Sequence, residues 1–256
     1  MGANVACPPG APPVKSRCLV PLIAVVLAAA LTACNPQQAD DKATSGTPNS
    51  TTSAASPAPG GPAPGAGSLS LPDAIAALPD DMEKRDGYER DSFRHWTDED
   101  GDGCETRAEV LLEEATTKPE QGERCALTGG TWMSYYDGVE VTDARKLDID
   151  HMVPLAEAWD SGAYGWTPER REAYANDLGS ERSLVAVTAK SNRSKSDKDP
   201  GQWLPPAAGA RCTYAADWTA TKLRWKLSAD QNERSALLEL AKDCPDTTVE
   251  FEEAGQ

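Results

Sequence analysis

The chain has 256 residues and a formal net charge of −16. So acidic a balance argues against a general binder of nucleic acid, because phosphate binding needs positive surface. All seven Trp lie after position 95, so the one core that this length supports must form in the C-terminal part. The charge is unevenly spread: between Arg182 and Lys226, nine Lys or Arg stand against three Asp. Such a stretch is either a solvated surface or a local electropositive strip.

Residues 1–34 carry the marks of an export signal. Lys15 and Arg17 form a positive flank, and the apolar run Leu19 to Ala30 is too short to span a bilayer comfortably. The run ends in Leu31-Thr32-Ala33-Cys34, which resembles the lipobox of bacterial lipoproteins. That resemblance implies a lipidated Cys34 as the mature N-terminus, and an exported protein that meets the membrane through its lipid anchor only. Residues 35–70 are rich in Pro, Ser, Thr and Gly, as in Ser56-Pro57-Ala58-Pro59-Gly60-Gly61-Pro62, and are expected to be a disordered tether. A globular domain is expected over residues 71–256.

Four cysteines remain for that domain: Cys104, Cys125, Cys212 and Cys244. An even number in an exported chain implies two disulfides, and three pairings are open. Local closure favours Cys104–Cys125 and Cys212–Cys244, each worth about 3 kcal/mol in the chain-entropy model. No Cys-x-x-Cys spacing supports a zinc site instead.

From Leu71 the patterning becomes globular. Helices are expected at Leu71–Leu78, Arg107–Ala115, Val153–Trp159, Pro168–Leu178, Ala216–Trp225 and Ala229–Lys242. Thr167 should cap the fourth of these, with Pro168 at its first position. Lys146–His151 alternates Leu147 and Ile149 with Asp148 and Asp150, as a strand does, and Leu184–Thr188 is a short β-branched strand.

With only two histidines, His95 and His151, a His-Glu-x-x-His zinc protease and a His-rich metal cage are excluded. The chain also lacks a Gly-x-Ser-x-Gly elbow and a Gly-rich phosphate loop. Asp150-His151 at a strand end sets a carboxylate beside an imidazole. Phosphodiester hydrolysis needs a base for water and a metal for the charged phosphate, and the pair offers one group for each. A lone Asp-His is more often structural, so the second segment matters. After the strand Leu184–Thr188 comes Ser191-Asn192-Arg193-Ser194-Lys195-Ser196-Asp197-Lys198-Asp199-Pro200. Strand, long loop, strand and a helix opening at Asn192 is the ββα-metal plan.

Asp150-His151 together with Asn192-x-x-Lys195-x-Asp197 resembles the HNH endonuclease family. More closely, the chain is similar to secreted HNH proteins related to the C-terminal domain of the GmrSD restriction endonucleases. The similarity covers most of Tyr88 to Cys244, including Cys104-Glu105-Thr106-Arg107, Val153-Pro154-Leu155, Ala175-Asn176-Asp177 and Trp203-Leu204-Pro205-Pro206. It implies an α+β fold with a ββα-metal (HNH, or His-Me finger) core wrapped by helices. It implies His151 as general base, Asp150 and Asn192 as ligands of one Mg²⁺ or Mn²⁺, and Lys195 and Arg107 near the substrate phosphate. The substrate would be nucleic acid, with DNA as the working expectation, and the protein a monomer. Two departures stand out. Ser183 replaces the central Asn that opens the family's second strand, and Trp132 to Gly138 replaces an aspartate-proline-tyrosine stretch.

One motif points elsewhere. Asp98, Asp100, Asp102, Gly103 and Glu109 match the spacing of a calcium-binding EF-hand loop, which would add Thr106 and the Cys104 carbonyl. Glu105 stands where such loops place an apolar residue, and no second loop exists to pair with. Calcium at Asp98–Glu109 is therefore the less favoured option. It supports a rival reading: a non-catalytic, calcium-stabilised surface binding module with a degenerate HNH site.

Overall fold

A computed structural model describes residues 66–255. The signal segment, Cys34 and residues 35–65 of the expected tether lie outside the described residues. In chain order the elements are β1 (Ala66–Ser70), α1 (Leu71–Ala77), α2 (Thr106–Glu114), β2 (Glu120–Gln121), β3 (Leu127–Thr128), β4 (Trp132–Met133), β5 (Glu140–Val141), β6 (Leu147–His151), α3 (Leu155–Asp160), α4 (Pro168–Ala175), β7 (Leu184–Thr188), α5 (Ala189–Lys195), α6 (Arg211–Trp225), α7 (Gln231–Ala241) and β8 (Thr248–Glu252). The fold is mixed α and β, with disulfides Cys104–Cys125 and Cys212–Cys244, the pairing that local closure favours.

β1 corrects the expected domain boundary. It lies within the stretch assigned to the tether, yet it pairs antiparallel with β8, from Ala66 opposite Glu252 to Ser70 opposite Thr248. Leu69 packs against the main core and Val249 is fully buried in it. A strand whose partner lies at the far end of the chain leaves no local trace beyond five residues of weak alternation.

The pair β6–β7 organises the site. It is antiparallel, with Asp150 opposite Val185 and His151 opposite Leu184. Side chains alternate across a strand, so Leu147, Ile149, Leu184 and Ala186 face one way, into a cluster with Val110, Leu111 and Trp132. Val185 and Val187 face the other way, into the larger core built on α1, α3, α4, α6 and α7. β7 is thus covered on both sides, which accounts for its apolar run.

Thr188 ends β7 and caps α5 in a single step. Its hydroxyl accepts from the Ser191 amide at 3.3 Å and donates to Asp137 at 2.5 Å. The helix therefore starts at Ala189, a turn earlier than expected, and Asn192 falls in its middle. The same capping logic holds at Thr167, which accepts from the Arg170 amide and is followed by Pro168.

Candidate active site

His151 closes β6 and is 5 % exposed. Its ring lies between Trp96 (centroids 5.7 Å apart, 27° between planes) and Tyr174 (6.2 Å, 21°). Its Nε2 is 2.9 Å from the carbonyl oxygen of Ala175. A carbonyl only accepts, so Nε2 carries the hydrogen and Nδ1 keeps the lone pair. Burial pushes the His151 pKa down to about 3, with the positive charge of Arg90 and the nearby His95 adding to it and the Ala175 bond opposing. The imidazole is therefore neutral through the physiological range.

The C-terminal end of α4, which carries Ala175, is held from several sides. Asn176 uses all four of its hydrogen-bonding positions: Oδ1 accepts from the Thr97 amide and the Thr106 hydroxyl, and Nδ2 donates to the carbonyls of Arg94 and Glu172. This ties the segment bearing Trp96 to the end of α4 that bears Ala175. Asp177 accepts from Ser183, Arg224 and Trp225. Ser183, which stands in place of the expected Asn, thus holds the segment after α4 through Asp177, and its carbonyl receives the Met152 amide at 2.9 Å.

Asp150 lies on the opposite face of β6, as alternation requires. Its Oδ2 accepts from Lys195 Nζ at 2.5 Å and from the Tyr136 hydroxyl at 2.6 Å. Both bonds fall on one oxygen, so neither group engages Oδ1. Lys195 also donates to the His151 carbonyl at 2.9 Å. Burial pulls Asp150 and Lys195 toward their neutral forms, against their mutual attraction. Asn192 donates from Nδ2 to Asp148 at 3.1 Å, which fixes the amide and leaves Oδ1 as its acceptor end.

These groups meet at a cavity of about 190 Å³, bordered by Asp150, His151 and Asn192 together with Arg90, Arg193 and Asp197. Ser196 is also on its wall, with a left-handed backbone (φ 52°). Trp96, stacked on His151, has φ 62°. Two non-glycine residues in this region beside one histidine mark a site where the surroundings hold the backbone against its preference.

Two expected site residues are placed differently. Lys195, expected near the substrate phosphate, is wholly buried and serves Asp150 and the His151 backbone. Arg107 turns Nη2 to the carbonyls of Ala144 and Leu147, at 3.1 and 3.0 Å. It fastens the start of β6 and does not border the cavity. Nothing in the sequence marks Trp96, Tyr136 or Tyr174 as part of the site; for Asn176 the motif Ala175-Asn176-Asp177 is the one signal.

The available donor atoms are Asp150 Oδ1, Asn192 Oδ1 and the Asp197 carboxylate. They are hard oxygens suited to Mg²⁺ or Mn²⁺, so the residues fit a divalent ion, though the Lys195 ammonium opposes a second cation on Asp150. The tighter carboxylate groups lie elsewhere. Ligand atoms of Asp98, Asp100 and Asp102, and of Asp102, Cys104 and Glu109, lie within 4.8 Å of one another. The expected set takes the carbonyl of Cys104, which its disulfide leaves untouched, but Thr106 turns its hydroxyl inward to Thr97 and Asn176, so one expected side-chain ligand is engaged elsewhere.

The family model for GmrSD restriction endonucleases, C-terminal domain, matches residues 80–240. An "Uncharacterized secreted protein" of Arthroderma benhamiae is 44% identical over 160 residues, covering 62% of this chain and 77% of the relative. No solved structure matches the chain.

Proposed function

Because the chain belongs to the family of GmrSD restriction endonuclease C-terminal domains, we propose that it is an exported, metal-dependent endonuclease that hydrolyses phosphodiester bonds of nucleic acid, with His151 as the base. The observation that carries this reading is the fixed His151 ring at a cavity shared with Asp150 and Asn192. β6, β7 and α5 would form its ββα-metal core of HNH type. Disulfides and the secreted relative support export; lipidation at Cys34, a monomeric state and DNA as substrate belong to the proposal.

His151 holds its hydrogen at Nε2 on Ala175, so Nδ1 takes the proton from the attacking water. Trp96 and Tyr174 keep the ring from tilting, so little reorganisation is needed at reaction. Asp150 Oδ1 and Asn192 Oδ1 would hold one hard divalent ion. When bound, that ion would neutralise charge on the phosphate and on the leaving oxygen. Tyr136 and Lys195 hold Asp150 in place through its other oxygen, and Asp148 holds Asn192.

The test is plasmid nicking with Mg²⁺ or Mn²⁺, with excess EDTA, and with His151→Ala. Cleavage that stops in EDTA, returns with either ion and is lost in the variant supports the reading. Cleavage unchanged in EDTA sinks the metal mechanism. One observation favours the calcium-module reading, namely the convergent carboxylates of Asp98, Asp100 and Asp102. Micromolar calcium binding in a protein that never cleaves would favour it.

A further inference from the structure

We propose that Arg90 and Arg193 are the phosphate-binding walls of the His151 cavity, and that the protein grips its substrate by the sugar-phosphate backbone rather than by the bases. The inference rests on the nuclease reading above and adds the groups that would hold the substrate.

The first argument is how the arginines are used. Among the described residues, every arginine except Arg90, Arg124 and Arg193 forms an ion pair with a carboxylate or donates to a backbone carbonyl. Two of those three border the same small cavity, from different elements. Arg90 opens a 3₁₀ turn, Arg90–Ser92, and Arg193 follows Asn192 in α5. Neither guanidinium is held by a carboxylate or a carbonyl, although Arg90 also reaches the Tyr88 hydroxyl, and an arginine fork matches phosphate oxygens.

The second argument is charge. The chain is net −16, and Asp150 and Asp197 both border the cavity. Lys195 is wholly buried against Asp150, so it offers nothing to an incoming anion. The cationic side chains that border the cavity and remain free to meet a polyanion are Arg90 and Arg193. The third argument is size. At about 190 Å³ the cavity is smaller than the roughly 300–1,000 Å³ usual for pockets that enclose a whole small molecule. It suits a phosphate group better than a nucleobase, so binding should tolerate any sequence.

The experiment is fluorescence anisotropy of labelled duplex oligonucleotides of unrelated sequence, titrated with the full chain at several salt concentrations. EDTA is present so that turnover does not consume the probe. Wild type is compared with Arg90→Gln, Arg193→Gln, the Lys substitutions at both positions, and Arg124→Gln, whose arginine is unpaired but does not border the cavity. Each Gln variant should weaken binding about tenfold for all sequences alike and flatten the plot of log K against log salt by about 1. The Lys variants should keep the slope while losing part of the affinity, since the charge remains and the fork is gone. Arg124→Gln should track wild type. Gln variants that melt like wild type and bind with unchanged affinity and slope overturn the proposal. An equal loss in Arg124→Gln also overturns it, because the effect is then one of overall charge. A wild-type protein that binds no duplex overturns this proposal, whereas the nuclease reading stands or falls on the nicking assay, in which the ion is present.

Discussion

Two regions of the molecule offer oxygen ligands to a cation, and they are built in opposite ways. The Asp98–Glu109 loop gathers three exposed carboxylates from five consecutive residues, with ligand atoms within 4.8 Å. Its order is local: Asp98 accepts from the amides of Gly101 and Gly103, and Asp102 from that of Cys104. The His151 cavity has fewer carboxylates, and its parts come from the 3₁₀ turn at Arg90, β6 and α5. The loop is rich in charge but lacks burial. The cavity offers fewer carboxylates, but His151, Asp150 and Asn192 are each held by partners from other segments. Low dielectric and preorganisation, rather than a count of carboxylates, make a site chemically potent.

The largest expected effect tests that contrast directly. His151→Ala should lower cleavage by about 10² to 10⁴-fold, the usual contribution of a positioned base, with far-UV dichroism unchanged. Replacing Asp98, Asp100 and Asp102 together by Asn should leave cleavage within severalfold of wild type. If the triple variant loses as much as His151→Ala, the ranking of the two regions is reversed.

Next comes Lys195→Met. The substitution removes one member of a buried ion pair and leaves Asp150 with Tyr136 alone. Breaking such a pair costs about 3–5 kcal/mol, because the remaining charge is uncompensated. Urea denaturation should show a loss of that order, whereas Asp100→Asn should hardly move the midpoint. A Lys195→Met protein as stable as wild type would mean that the ammonium does not hold Asp150.

The same contrast explains which features could be read from the sequence. The strands Leu147–His151 and Leu184–Thr188, the Thr167 cap and the disulfide pairing are short-range or periodic. His151, Asp150 and Asn192 were legible because their motif matches a family and their spacing fits two strands and a helix. Trp96 and Asn176 were not, since Thr97 and Asn176 meet across 79 residues and nothing near either one announces the contact. Lys195 was misplaced for a different reason. The resemblance puts this lysine near the substrate phosphate, yet here Asp150 and the His151 carbonyl satisfy it at zero exposure.

Acid should distinguish the two regions as well. The His151 pKa is about 3 in the folded protein and about 6.5 in the unfolded chain. Between these values the unfolded chain binds the extra proton. The stability linked to neutral His151 is therefore intact above about pH 6.5 and falls as pH drops toward 3, by up to about 1.4 kcal/mol per pH unit. His151→Gln should abolish this slope, so its stability relative to wild type should rise through that window. A difference that stays constant from pH 7 to pH 4 would show that the imidazole is not desolvated.

The smallest expected effect concerns α2, the helix that joins the two regions. It starts beside the acidic loop, fastens β6 through Arg107, and ends at Glu114, whose carboxylate accepts from the Ala186 amide of β7 at 2.9 Å. Burial raises the Glu114 pKa to about 7, with the Ala186 bond opposing the rise and Glu113 and Glu181 adding to it. Here the folded state binds the extra proton between the ordinary carboxylate value, about 4.3, and about 7. Its stabilisation is complete below that window and is lost as pH rises through it, the reverse of His151. Glutamine keeps an oxygen for the Ala186 amide and carries no charge to desolvate. Glu114→Gln should therefore melt with wild type near pH 4 and above it near pH 8, by about 1 kcal/mol or somewhat more. Melting curves at the two pH values decide the matter. An equal offset at both would assign Glu114 no titrating role, and the support that α2 gives to β7 would then rest on Val110 and Leu111 packing against Leu184 and Ala186.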